Sequence, residues 1–213
     1  MGFLVNLEVA GRPALVVGGG AIAARKIAAL VDAGADVTVV APEVGEPVAA
    51  LERDGRIRVL RRAFEPGDAR GAFVVVGATN DDEVNREVAQ DARACGALVN
   101  IVDRPALCTY TVPAVVRRGH LTVAVATDGR CPSVARAIRE RLDREFGPEY
   151  AEVVDRLGAL RQTLMAAGWT SDRINRAVGS LLDAGLAAAI ADGDDDRAAG
   201  MIASVVDEAR GVR

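Results

Sequence analysis

The chain has 213 residues, 50% of them hydrophobic and only 3% aromatic, and a net charge of -4. That length holds one sizeable core with an appendage built from Ala, Val, Leu and Ile. No apolar run approaches the roughly 18 residues of a membrane span, and three widely spaced cysteines with one histidine speak against a disulfide scaffold and a Cys/His zinc site.

The N-terminal MGFLVNLEVAGR lacks the basic start and the long apolar stretch of a secretory signal. With the odd, unpaired cysteines, this points to the cytoplasm. PALVVGG (13–19) is a short apolar run ending in glycines and predicts a buried strand. Ile22, Ile27, Leu30 and Val31 recur at helical spacing over 21–33, and Gly34 ends that helix. DVTVVAP (36–42) predicts a second buried strand, and a helix over 43–54 stops at Asp54-Gly55. IRVLRR (57–62) alternates and predicts a strand nearer the sheet edge. AFVVVGAT (72–79) is another apolar strand. Asn80 or Asp81 caps a helix running to Cys95, and ALVNIVD (97–103) is the next strand.

Repeated β-α-β units of this kind predict a Rossmann-like, doubly wound α/β sheet. The pattern changes after Asp103. Two β-rich segments in 106–129 flank Arg118-Gly119 with no helix between them, which predicts a strand pair outside the parallel sheet. From Pro132 the chain reads as helical: 132–146, 149–167, then two or three shorter helices. The expected organisation is a nucleotide-binding domain over 1–112, a small α+β region over 113–150 and a helical domain over 151–213.

Gly18, Gly20 and Ala23 fit G-x-G-x-x-G/A after a strand and at the start of a helix, the context that a dinucleotide site requires. The pyrophosphate belongs at the positive end of the helix beginning near Ala21. The ribose-binding acid expected near position 41 is missing, because Ala41-Pro42 stands there. Either Glu43 or backbone groups of Pro42 and Glu43 serve the ribose instead. No Arg or Lys lies between 41 and 52 to hold a 2′-phosphate, so NAD is favoured over NADP. Thr79 and Asn80 follow the fourth strand. They either border the cofactor crevice or cap the next helix.

Asp103 ends VNIVD at the carboxyl edge of the sheet, where ligands of such folds bind. It is either a base for proton abstraction or a turn residue. Between Arg104 and Arg144, eight arginines (104, 117, 118, 130, 136, 139, 141 and 144) meet three acids on a chain that is -4 overall. A basic stretch after a cofactor site suggests an anionic substrate, since arginine binds both carboxylate oxygens. The shortage of aromatics argues against nucleic acid. Arg104, Arg117, Arg130 and Arg136, with Thr127 before the long helix, are the candidate substrate contacts. Lys26 is the only lysine among 26 basic residues.

The ordered blocks VVGGGAIAARK, VTVVAP, GATND, VNIVD, TVPAVVRRGHLTVAVAT and G-x-x-P-x-x-A-R-x-x-R-E resemble the precorrin-2 dehydrogenase and sirohydrochlorin ferrochelatase family over roughly residues 1–150. The resemblance implies NAD-dependent oxidation of precorrin-2 to sirohydrochlorin and, in some members, Fe²⁺ insertion at the same site. It implies a homodimer with 113–150 in the interface. It places the essential aspartate on Asp103 and the cofactor contacts on Ala21, Ile22, Pro42 and Glu43. Asp128 and Arg130 depart from the Gly/Ser/Thr-rich loop of the family. The competing reading is an NAD-sensing regulatory domain, which shares the glycine turn and needs no catalytic carboxylate. The basic stretch and the strand pair argue against it.

Overall fold

Apolar runs too short for helices and too continuous for half-exposed strands assemble into a five-stranded sheet. In the computed structural model, which describes residues 2–211, the strands are β1 (Pro13–Val17), β2 (Asp36–Val40), β3 (Ile57–Leu60), β4 (Val74–Gly77) and β5 (Leu98–Ile101). Their order is β3-β2-β1-β4-β5, and every neighbouring pair is parallel. β1 sits at the centre, with Val16 opposite Val39 on one side and Val76 on the other. IRVLRR does form an edge strand.

Helices α1 (Ala21–Asp32), α2 (Glu46–Arg53) and α3 (Asp82–Ala94) link the strands. Side chains alternate across the sheet, so two cores form. Ala14, Val16, Val37, Val39, Val74 and Val76 pack with Ala23 and Ile27 of α1 and Val48 of α2. Leu15, Val17, Val40, Val75, Val99 and Ile101 pack with Val88, Ala89 and Ala92 of α3. Burying both faces is what keeps the central strands β1 and β4 free of polar side chains.

Several boundaries are tighter than the sequence pattern. β1 ends at Val17 rather than residue 19, because Gly18 turns the chain at φ +120°. The helix expected from 43 begins at Glu46, with Gly45 as its extended N-cap and Pro47 in its first turn. The Gly45 amide instead donates to the Gly19 carbonyl at 2.9 Å, tying this loop to the glycine turn. Asp81, not Asn80, caps α3, accepting from the amides of Glu83 at 2.8 Å and Val84 at 3.2 Å.

The chain divides into two compact units, Met1–Val112 and Pro113–Arg213. In the second, β6 (Ala114–Arg118) and β7 (Leu121–Val125) form an antiparallel hairpin outside the parallel sheet. Gly119 takes φ +54° in its two-residue turn. The Arg118 guanidinium fastens β6 to the end of α4 (Pro132–Glu145), donating to the carbonyls of Phe146 and Asp143 and to the Asp143 carboxylate, each at 2.9 Å. Helices α5 (Tyr150–Ala166), α6 (Ser171–Asp183), α7 (Leu186–Ala191) and α8 (Asp195–Arg210) enclose a separate core around Leu157, Leu164, Ile174 and Leu186. Among the described residues no helix is long and apolar enough to cross a membrane.

Candidate active site

The glycine turn joins the end of β1 to the start of α1, and its three glycines have different duties. A Cβ on Gly18 would overlap the backbone of Ala78, lying 2.8 Å from its carbonyl carbon, and would also be strained by the positive φ. A Cβ on Gly19 would collide with the Glu43 carbonyl oxygen and lie 2.8 Å from the Val44 Cα. A Cβ on Gly20 would meet nothing within 4 Å. The first two let the loops after β1, β2 and β4 approach; the third leaves an open hollow. Ala23 is fully buried against the sheet, as the small third position of the motif requires.

That hollow lies at the N-terminus of α1. Gly20 is its N-cap, no side chain caps it, and its first turn holds no acid. The leading amides of a helix have no intrahelical partner and carry the positive end of its dipole. α3 is the contrast: Asp81 caps it, and Asp82 and Glu83 occupy its first turn. Of these two sheet-edge termini, only that of α1 is left open to an anion. Ala21 and Ile22 are both exposed there. Pro42 and Glu43 are exposed on the adjoining loop after β2. These features fit the pyrophosphate of a dinucleotide.

Thr79 and Asn80 occupy the loop after β4. The Thr79 hydroxyl lies 3.1 Å from Asn85 Oδ1 and 3.0 Å from the Asp81 carbonyl, while Asn85 Nδ2 donates back to the Thr79 carbonyl at 3.0 Å. Buried Asn85 thus holds this loop from below. Asn80 is exposed.

Asp103 sits just past β5 with φ +57°, one of two non-glycine residues in the left-handed region among those described. The other is Asp128, at φ +50°, in the loop before α4. The Asp103 side chain is exposed, and among the described residues the Asp103 carboxylate makes no hydrogen bond or ion pair. Such a conformation costs about 1 kcal/mol or more for a non-glycine residue. Beside Asp103 a cleft of about 230 Å³ is lined by Lys26, Asn100, Arg104, Cys108 and Thr111. A segment returning under β5 shapes it. Asn100 Nδ2 donates to the Tyr110 carbonyl at 3.0 Å, and Val99 exchanges hydrogen bonds with Thr109, both at 2.8 Å. Burial drives the Tyr110 phenol upward, so it stays protonated. Lys26 comes from the second turn of α1. Burial lowers its pKa first, then repulsion from Arg25; Cys108 and Asp103 pull the other way.

The candidate substrate arginines divide. Arg104 is clamped by both Asp82 oxygens, at 2.6 and 2.8 Å, which holds the Asp82 carboxyl below its ordinary range. Arg136 donates to Glu140 at 2.9 Å. Arg118 and Arg139 are also ion-paired. Arg117 and Arg130 are exposed and make no ion pair among the described residues. Thr127 belongs to the loop before α4, where its carbonyl accepts from the Arg130 amide at 2.9 Å and its hydroxyl from the Cys131 amide at 3.4 Å. Sequence reasoning did not assign Gly19, Asn85, Asn100 or Lys26 to the site. The third consecutive glycine and the asparagine inside an apolar strand were the available signals.

The sheet order, the open helix terminus and the cleft at the strand ends define a Rossmann-type dinucleotide-binding protein. Residues 5–114 match the family model described as "Putative NAD(P)-binding". A siroheme synthase of Methylobacillus flagellatus is 45% identical over 149 residues, covering 70% of this chain and 32% of that protein. A siroheme synthase of Neisseria meningitidis serogroup C is 36% identical over 164 residues, covering 77% of this chain and 34% of that protein. The chain spans about a third of the length of these curated relatives. The solved structure of SirC, a precorrin-2 dehydrogenase, superposes with a TM-score of 0.71 at 31% identity, covering 84% of this chain and 88% of that one. The chain belongs to the NAD(P)-binding, precorrin-2 dehydrogenase family.

Proposed function

We propose that this chain oxidises precorrin-2 to sirohydrochlorin with NAD as the oxidant, a step of siroheme biosynthesis. The observation that carries the reading is Asp103: an unpaired carboxylate in a strained backbone, beside a cleft at the sheet edge that also holds the glycine turn. Bound NAD supplies a hydride acceptor. The leading amides of α1 would receive its pyrophosphate, and Pro42 and Glu43 would hold the adenosine ribose. No cation between 41 and 52 waits for a 2′-phosphate.

The reaction removes one hydride and one proton from the macrocycle. The hydride leaves with the electron pair of its C–H bond, which bound NAD would accept to become NADH. Asp103 takes the proton and returns it to water, so the carboxylate is regenerated. Exposure keeps Asp103 in contact with solvent for that return. The substrate is ringed with carboxylates, and Arg117 and Arg130, exposed and without an ion pair among the described residues, are proposed as anion receptors with Thr127.

Fe²⁺ insertion into the oxidised ring is proposed as a further step of the same site, with Asp103 taking the protons that leave the ring nitrogens. A homodimer through 113–150 is proposed from the β6–β7 hairpin. Two strands alone are marginal in water, and Val134 and Ile138 of α4 stand exposed. Free Cys95, Cys108 and Cys131 fit a cytoplasmic protein.

Purified chain mixed with precorrin-2 and NAD is expected to yield NADH together with the sirohydrochlorin absorbance. NAD binding without either product would overturn the enzyme reading in favour of a nucleotide sensor.

A further inference from the structure

We propose that Lys26 is a substrate-binding residue: its ammonium receives one carboxylate of the anionic substrate and sets the adjoining ring edge against Asp103. The inference rests on the dehydrogenase reading and deepens it.

Lys26 lines the Asp103 cleft from α1, although 77 positions separate the two in sequence. It is half-buried, and among the described residues its ammonium makes no hydrogen bond and no ion pair. An ammonium withdrawn from water without a partner is costly to keep. Asp103 and Cys108, which line the same cleft, offset part of that cost, and an anion arriving from outside would offset more. The cleft holds about 230 Å³, below the roughly 300–1,000 Å³ of sites that enclose a small molecule. It therefore seats an edge of a large ligand, and an edge bearing a carboxylate suits a lysine beside a base.

The choice of lysine has a physical reason. Every other cation of this chain's 26 Lys and Arg residues is arginine. Arg104, in the same cleft, shows what arginine does next to an aspartate: it grips both oxygens of Asp82. A guanidinium at position 26 would be drawn into the same two-pronged pairing with Asp103 and would occupy the carboxylate that must take the proton. A lysine is a compact point charge on a flexible stem. It leaves Asp103 free and remains free itself.

Because Lys26 is the only lysine, amine-directed labelling reads this one side chain, with the chain N-terminus as internal control. Reductive methylation of the wild-type chain, mapped by peptide mass, is expected to slow about fivefold or more at Lys26 under saturating sirohydrochlorin, and to change less than about twofold under NAD alone. In turnover assays, Lys26→Met is expected to raise the KM for precorrin-2 about tenfold with the KM for NAD nearly unchanged. Lys26→Arg is expected to recover that KM but lose about tenfold in kcat, because Asp103 is gripped. Absence of protection by sirohydrochlorin, protection by NAD alone, or an unaltered precorrin-2 KM in Lys26→Met overturns the assignment. The wild-type arm keeps the two readings apart: no NADH from precorrin-2 removes the dehydrogenase, while protection by sirohydrochlorin reports binding alone.

Discussion

Gly19→Ala separates the structural work of the glycine turn from its binding work. The new methyl would enter the Glu43 carbonyl oxygen and stand 2.8 Å from the Val44 Cα and 2.9 Å from its Cγ1. Ordinary contacts of these kinds need about 3.5–4.0 Å, so backbone must move by about 1 Å. The Gly45–Gly19 hydrogen bond at 2.9 Å crosses the same gap and would stretch with it. Overpacking of this sort costs about 1–3 kcal/mol, and the bond adds about 1 kcal/mol. A loss near 3 kcal/mol lowers the melting temperature of a domain of about 100 residues by about 12 °C. The displaced loop carries Pro42 and Glu43, so NAD affinity should fall about tenfold as well. Gly20→Ala is the control. Its methyl points into open space and its φ of -79° suits alanine, so melting should shift by less than about 4 °C. If that space holds the pyrophosphate, NAD affinity should still fall about tenfold or more. Differential scanning calorimetry and isothermal titration with NAD read both quantities. A Gly19→Ala chain that melts like wild type refutes the crowding argument; a Gly20→Ala chain that binds NAD normally refutes the place given to the pyrophosphate.

The remaining predictions probe single groups. Asp103→Gly relieves a left-handed backbone while removing the carboxylate, so chemical denaturation should show stability within about 1 kcal/mol of wild type and the NADH assay should show turnover lost by about a thousandfold; lost stability with retained turnover would make Asp103 a turn residue. The Lys26 ammonium is disfavoured by folding, so the unfolded chain binds the proton more tightly. Stability should therefore rise with pH as Lys26 passes through its lowered folded value up to the ordinary lysine range. The single dimethyl-lysine signal of ¹³C-methylated protein should titrate at lower pH in buffer than in denaturant, and coincident curves would contradict the burial. Arg118→Ala removes three bonds at 2.9 Å between the hairpin and the end of α4. Hydrogen exchange should speed up in β6 and β7, with a stability loss of about 1–3 kcal/mol. Unaltered exchange there would mean that packing alone holds the hairpin.

Periodicity made most of the fold legible. Buried parallel strands must be apolar on both faces, so their runs stand out from helices with one apolar stripe. Boundaries were less legible, because backbone events decide them. Residues 43–45 stay out of α2 because Gly45 bonds to Gly19, a partner 26 positions away. The asparagine within VNIV is another case: its polar group is satisfied by the Tyr110 carbonyl, on a segment that only the fold brings back under β5.

By itself, the sequence determined the alternation of strands and helices, the glycine turn that opens α1, and the arrival of Asp103 at the end of the fifth strand. Each follows from local sterics or from a repeat read along one element. The tertiary structure decided which groups are free to act. Arg104 looks like Arg117 and Arg130 as a candidate anion receptor, yet it grips Asp82 of α3, while Arg117 and Arg130 make no ion pair among the described residues. Lys26 looked like an unexplained residue in a helix, yet it shares a cleft with Asp103. A charge's role depends on what it meets in space, and a meeting across 22 or 77 positions leaves no period in the chain.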